Sequence, residues 1–358
     1  MLWDESVFRD GWVPRRLEGR DDEQEQLTAA LRPAVQGEPP ADVVISGPSG
    51  VGKTALARCQ LNALRLEADV CSTHIQCLGQ SSGSICRQLV RDHPRGGDPS
   101  HTTPVDDVRA ELARSVDRPY IVILDEADAV CRTDLLGWLG GIDAVATVAI
   151  CHDSDEWFGH LNAETARGRR HIPLETYSVD ALASILAQRA DLGLRHGAVD
   201  RQLLERIARR CAGAARTGIQ TLYEAAKRAS EDRRASIEET DIGPAAEAAR
   251  RRIRAANLSS LPVGHLLIYH LIQQADGGQL SAGALAARYD EWAADALADH
   301  PATPAAPATR RRYLSKLEDY GLITSTGENR HKSYIALDPD LEVPDTVAFG
   351  VRADPARR

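Results

Sequence analysis

Residues Gly47-Pro48-Ser49-Gly50-Val51-Gly52-Lys53-Thr54 spell the pattern G-x-x-x-x-G-K-[ST]. Glycines at these places let the backbone wrap a phosphate chain with its N–H groups, and the helix that follows points its positive end at the same anion. Lys53 would reach the β- and γ-phosphates, the Thr54 hydroxyl would complete part of a Mg²⁺ shell, and Ala55 stands in the first turn behind them. A second run, Tyr120-Ile121-Val122-Ile123-Leu124-Asp125-Glu126, carries two carboxylates at the end of an apolar stretch. Asp125 there would hold Mg²⁺ through water, and Glu126 would polarise an attacking water. The two runs together specify ATP or ADP with Mg²⁺ and the chemistry of phosphoryl transfer.

These groups need strands that end at one edge of a sheet. Asp42–Ser46 is a short apolar run that reads as a buried parallel strand, and Ala55–Arg58 opens a good helix. From 41 to about 175 such runs alternate with helical stretches, which predicts an α/β parallel sheet with strands at 43–46, 70–76, 120–124 and 146–151. Residues 93–104, rich in Pro, Gly and Asp, predict an exposed loop. From 179 to 254 the apolar spacing becomes helical and the segment rich in arginine. Helices at 262–274, 281–298 and 309–320 follow, then a hairpin with Gly327-Glu328-Asn329 at its tip. The expected division is a nucleotide-binding core over 1–175, a helical lid over 176–256, a third domain over 257–340 and a tail over 341–358.

The chain has 358 residues and a net charge of −9, and only four of its 43 basic residues are lysines. An acidic, arginine- and alanine-rich chain of this kind resembles proteins of salt-rich cytoplasm and GC-rich genomes. In high salt, counterion release drives phosphate binding weakly, so local basic patches say more about DNA than the total charge does. No stretch approaches the roughly 18 apolar residues of a membrane span, and the acidic N-terminus lacks a signal-peptide pattern. A cytoplasmic protein is the expectation. Seven cysteines follow no disulfide framework. Cys71, His74 and Cys77 alternate along an expected strand, and no second pair of ligands follows at zinc spacing.

Residues 258–337 resemble a winged helix, a helix-turn-helix variant with a β-hairpin wing. In Thr309–Tyr320 the apolar Tyr313, Leu314 and Leu317 cluster on one helical face. Arg312, Ser315, Lys316 and Asp319 take the opposite face, with Arg310 and Arg311 at the N-terminal end. Such a face enters the major groove of double-stranded DNA, where Arg forks onto guanine and Lys reaches guanine or phosphate. Arg330, His331 and Lys332 near the hairpin tip suit phosphate or minor-groove contact. Winged helices also mediate protein contacts, and Asp319 counts against tight groove entry.

Over residues 7 to about 337 the order of motifs resembles the AAA+ ATPases of archaeal replication initiation, the origin-recognition and helicase-loader family. The matching residues are Val7-Phe8, Trp12-Val13-Pro14, Leu17, Arg20, the glycine-rich run, the Asp125-Glu126 strand and Gly213-Ala214-Ala215-Arg216. The resemblance implies that Val13, Pro14 and Arg20 line an adenine pocket and that Arg216 is a lid arginine touching the γ-phosphate. It implies an ATP-switched initiator that marks origins and helps load the minichromosome-maintenance helicase. There are two departures. His152, in Ile150-Cys151-His152-Asp153, stands where the family usually has a polar sensor asparagine. Glu164, in Leu161–Thr165, stands where its arginine finger is expected, with Arg167, Arg169 and Arg170 just beyond. Slow hydrolysis is therefore expected. Asp125-Glu126-Ala127-Asp128 also matches the acidic motif of DEAD-box helicases, but the chain offers no second parallel sheet for that reading. Two rivals share the motifs: a nucleotide-switched signalling or transcription-regulating ATPase, and a paralogue that binds DNA without initiating replication.

Overall fold

The computed structural model describes residues 1–130, 135–153, 157, 159, 168–298, 300, 302–328 and 331–344. Its larger sheet has five strands: β1 Val43–Ser46, β2 Cys71–Gln76, β3 Tyr120–Asp125, β4 Val145–Ile150 and β5 Arg170–Pro173. They lie in the order β2-β3-β4-β1-β5, and every pairing is parallel. Strands β1, β3 and β4 are buried at every residue, because helices cover both faces. Alternation persists inside these wholly apolar runs. Ile121 and Ile123 join Leu56, Leu61 and Leu27 of α1 (Asp21–Leu31) and α2 (Lys53–Glu67) on one face. Tyr120, Val122 and Leu124 join Ile85, Leu89, Val108 and Leu112 of α3 (Ser82–Asp92) and α4 (Val105–Ser115) on the other, which also takes α5 (Leu135–Leu139).

Strand β5 has no counterpart among the expected strands. Only Ile172 of its four residues is buried, so it lacks the apolar run that marks the others. The stretch 93–104 does lack regular structure, yet it is not a loose loop. His93 is 2% exposed and lies edge-on to Tyr120, while the Arg87 guanidinium donates to the carbonyls of Ser100, His101 and Thr103.

Four helices follow: α6 Val179–Gly193, α7 Arg201–Arg210, α8 Ala215–Glu231 and α9 Glu239–Ser259. Leu182, Ile185, Leu186, Leu204, Ile207 and Leu222 form one apolar cluster with Val7 and Phe8 of the N-terminal segment. That segment is built into the helical layer. A Cβ on Gly193 would lie 2.5 Å or less from Val7 and Phe8, Gln220 donates to the Phe8 carbonyl at 2.7 Å, and the Arg189 guanidinium stacks on Trp12 at 3.7 Å. Burial pushes the Arg189 pKa down to about 10.

By contacts the chain divides into two units, Met1–Ala246 and Glu247–Arg358. The expected core and lid both lie in the first unit, and the division between the two units falls inside α9. The second unit has α10 (Val263–Gln273), α11 (Ala282–Ala296), α12 (Pro307–Asp319) and an antiparallel sheet of β6 (Gln279–Ser281), β8 (Ser333–Ala336) and β7 (Ile323–Thr326) in that order. Helix α10 is apolar nearly all round and buried from Gly264 to Tyr269, as a central core helix must be. Leu341, placed by the sequence in a tail, is buried, and Gln273 donates to the Pro339 and Leu341 carbonyls at 2.6 Å.

Candidate nucleotide-binding site

Backbone hydrogen bonds tie the loop between β1 and α2 to its surroundings and join the segments beside it. Gly47 N–H donates to the His152 carbonyl beyond β4 at 3.2 Å, and Leu174 N–H beyond β5 donates to Ser46 at 2.8 Å. Arg216 N–H, in the first turn of α8, donates to the Gly50 carbonyl at 3.2 Å, and Tyr177 N–H donates to Gly213 at 3.0 Å. Gly47, Gly50 and Gly52 have φ of 141°, 79° and 94°, and a Cβ at Gly47 would meet the Leu174 carbonyl at 2.2 Å. Only glycine can hold this path. Gly213 is bound in the same way, with φ 78° and a would-be Cβ 2.5 Å from the Tyr177 carbonyl.

This cradle fits a phosphate chain. Helix α2 starts at Lys53 behind Gly52, which has no side chain to cap it, so the positive end of the helix faces the loop. Lys53 Nζ lies across the loop, donating to the Gly47 and Pro48 carbonyls at 2.6 and 2.8 Å. Thr54 Oγ1 donates to Asp125 Oδ2 at 2.8 Å, joining the two sequence motifs. Asp125 is 9% exposed at the C-terminal end of β3, where ligands bind in open α/β sheets. Glu126 takes a left-handed conformation, φ 56° and ψ 46°, which is costly for a residue with a Cβ. The bend turns the chain off the strand directly after Asp125.

In the second unit, Leu314 and Leu317 face inward from α12 while Arg311, Arg312, Ser315 and Asp319 are exposed. His265 on α10 packs against Tyr313 with ring centroids 4.1 Å apart, and a Cβ on the adjacent Gly264 would lie 2.8 Å from Tyr313. The helix that presents the arginines is thereby seated on the core helix.

The sequence profile of an AAA ATPase domain matches residues 16–349, most of the chain. The chain belongs to that family. As an AAA ATPase it is a nucleotide-binding protein, in agreement with the cradle just described. It is 29% identical over 344 residues to the ORC1-type DNA replication protein 9 of Halobacterium salinarum, covering 94% of each chain. It is 27% identical over 305 residues to the ORC1-type DNA replication protein 3 of Haloarcula marismortui, covering 76% of this chain and 81% of that one. Its fold is similar to that of the Aeropyrum pernix ORC1 protein solved in complex with DNA, with a TM-score of 0.73 and 21% identity over 97% and 95% of the two chains. Cdc6p of Pyrobaculum aerophilum shares the fold with a TM-score of 0.63 at 19% identity over 94% of each. The archaeal initiator resemblance read from the motifs thus covers 94% of the chain.

Within this AAA ATPase the sequence-derived residues separate by position. Gly47 to Ala55, Asp125 and Glu126 come together at the ends of β1 and β3, beside His152, whose side chain is exposed. Arg216 reaches the loop through its backbone, but its guanidinium makes a two-pronged pair with Asp10, at 2.6 and 3.1 Å to Oδ2. Sequence reasoning missed Asp10, which no motif marks. Pro14 is buried and Val13 packs partly against the sheet cluster. Arg20 is 5% exposed and committed to protein groups: it donates to the Glu175 and Val51 carbonyls, pairs with Glu23 at 2.8 Å and stacks on Tyr177 at 4.1 Å. It braces the glycine-rich loop from behind.

Arg169 is removed from the candidate fingers. Its side chain is 3% exposed, ion-paired with Asp42 at 3.1 Å and donating to Thr147 at 2.7 Å, at the far end of β1 from the loop. Burial lowers its pKa, and Asp42 opposes that shift. Arg170 lies at that end too, in register with Val43. Glu164, Leu161–Thr165, Arg167, Asn329 and Arg330 fall outside the described residues. Cys71 and Cys77 are buried on one side of β2 while His74 projects from the other, so the three do not converge. On the DNA side, Arg310 is 13% exposed and turned inward to Asp290 at 2.9 Å and the Tyr289 ring, which removes it from an exposed face. Lys316 and Lys332 lie over the rings of Tyr320 and Tyr334, and His331 is exposed.

Proposed function

We propose that this AAA ATPase is an ATP-dependent, DNA-binding replication initiator that recognises replication origins and helps load the replicative minichromosome-maintenance helicase. The observation that carries the reading is the correspondence with an ORC1-type DNA replication protein over 94% of the chain, combined with a phosphate cradle at the sheet edge. ATP would occupy the glycine-rich loop, with Lys53 at its phosphates and Thr54 and Asp125 holding Mg²⁺, which supplies charge neutralisation at the phosphates. Glu126 would orient a water, with Arg216 of α8 and His152 beyond β4 as phosphate contacts. Arg216 changes partner in this reading, leaving Asp10 for phosphate, so nucleotide binding would alter how the N-terminal segment and α8 are joined.

The second unit supplies the DNA face. Arg311, Arg312 and Ser315 on α12, with Lys316, would read the major groove, and His331 and Lys332 near the hairpin tip would contact the backbone. Its helix and strand order is the one expected for a winged helix. ATP occupancy rather than rapid turnover would carry the signal. The direct test is footprinting of the full chain, with ATP and Mg²⁺, on the replication origins of its own genome. Protection of discrete origin sites supports the reading. Protection confined to promoters, or none in the presence of ATP, overturns it.

A further inference from the structure

On β2, Thr73 and Ile75 bury toward α3 and α4, so His74 projects to the face shared by Ile123, its partner in register, and by α2. There its Nε2 lies 3.2 Å from Asp125 Oδ2, with side-chain exposures of 31% and 12%. An ionised carboxylate only accepts, so the ring nitrogen donates. Asp125 consequently receives three hydrogen bonds from three directions: Thr54 Oγ1 at 2.8 Å and His74 Nε2 on Oδ2, and the Glu126 amide at 3.1 Å on Oδ1. Thr54 comes from the phosphate-binding helix and the Glu126 amide from the bend that follows β3. His74 is the only one of the three donors on a strand of the sheet outside both sequence motifs.

We propose that His74 is a positioning residue for Mg²⁺, holding the Asp125 carboxylate in the orientation that Thr54 and the ion share. The inference rests on the reading of this site as a Mg²⁺–nucleotide site. A carboxylate that faces an ion has two rotational freedoms to lose on binding it. A donor on the neighbouring strand removes them in advance, as outer-shell partners do for metal ligands generally. Thr54 Oγ1 can offer a lone pair to the ion while its hydrogen stays on Asp125 Oδ2, but one donor fixes the carboxylate from one side only. The hydrogen bond from β2 fixes it from a second.

The test uses the full chain and ADP or ATP, measured by calorimetric titration in EDTA and then across a Mg²⁺ series, with melting to confirm folding. For His74→Ala we expect the Mg²⁺ concentration for half-maximal enhancement of nucleotide affinity to rise about tenfold, the lower end for loss of an outer-shell partner. Affinity in EDTA should stay within about twofold of the unmodified chain. His74→Gln, whose amide N–H reaches a similar point, should recover most of the Mg²⁺ response. An unchanged Mg²⁺ midpoint in the folded Ala variant overturns the proposal, as does an equal loss with and without Mg²⁺, which would make His74 a structural residue. If His74→Ala fails to fold, a Gln variant that folds but responds no better than Asp125→Asn overturns it too. Absence of nucleotide binding by the unmodified chain would instead overturn the site reading itself.

Discussion

At the scale of single residues the site depends on a few charges placed by backbone geometry. Lys53 lies over the carbonyls of Gly47 and Pro48, so its loss removes charge at the phosphates. Lys53→Ala should therefore abolish tight ATP binding, read by titration, and leave the melting temperature of the nucleotide-free chain within a degree or two. Undiminished ATP affinity would remove the glycine-rich loop from the site. For catalysis, an arginine finger is worth about 10³–10⁵ in turnover where present. Arg169, the described arginine nearest the family's finger segment, is tied to Asp42 and Thr147 at the wrong end of β1. The isolated protein should bind ATP firmly and hydrolyse it far below about 1 s⁻¹ in single-turnover assays, with or without duplex DNA, and Glu126→Gln should lower that further. A rate of order 1 s⁻¹ would show that another arginine completes the site.

At the scale of elements, the seat of α12 carries a titratable weakness. His265 is 3% exposed, its Nδ1 has no hydrogen-bond partner among the described residues, and burial with the nearby Lys316 charge pushes its pKa from 6.5 down to about 3. Burial lowers His93 and His270 as well. A histidine whose folded pKa is depressed binds its proton preferentially in the unfolded chain, so stability is full above about pH 6.5 and falls as the pH drops from there toward 3. For His265 the slope is on the order of 1 kcal/mol per pH unit. Denaturant melts between pH 7 and 4.5 should show it, and His265→Gln should flatten it. A slope unchanged in that variant would mean that His265 is protonated in the folded state. The same helix gives the DNA prediction: Arg311→Ala with Arg312→Ala should weaken duplex binding and flatten its salt dependence by up to about 0.9 log unit per lost phosphate contact. Equal affinity and slope in the double variant would make α12 a packing or protein-contact element.

The elements also show what a sequence discloses. Strands β1, β3 and β4 were legible because burial on both faces demands unbroken apolar runs, and α10 to α12 because their apolar spacing is helical. Strand β5 was hidden because an edge strand needs only Ile172 inside and holds its place by backbone pairing with β1. The glycine-rich loop and Asp125 were legible as motifs, since their chemistry fixes residue types at fixed spacing. Asp10, His74 and Tyr177 were not, because each serves the site through a partner far away in the chain. Arg310 and Arg169 looked like available cations, and only the fold shows that Asp290 and Asp42 hold them.

At the scale of the whole molecule, one unit carries the sheet, the nucleotide cradle and the lid helices, and the other carries the basic helix and hairpin. Their covalent link through α9 joins a nucleotide-binding unit to a candidate DNA-binding one, and the resemblance to ORC1-type proteins spans both. No described helix is long and apolar enough to cross a membrane. In the proposed function the chain marks origins of replication when it holds ATP. Genome-wide occupancy of the tagged protein, compared between the natural chain and Lys53→Ala, tests it most directly. An ATP-dependent initiator gives discrete peaks at replication origins that weaken or vanish in Lys53→Ala. Peaks at promoters alone, or origin peaks of equal height in both chains, would contradict it.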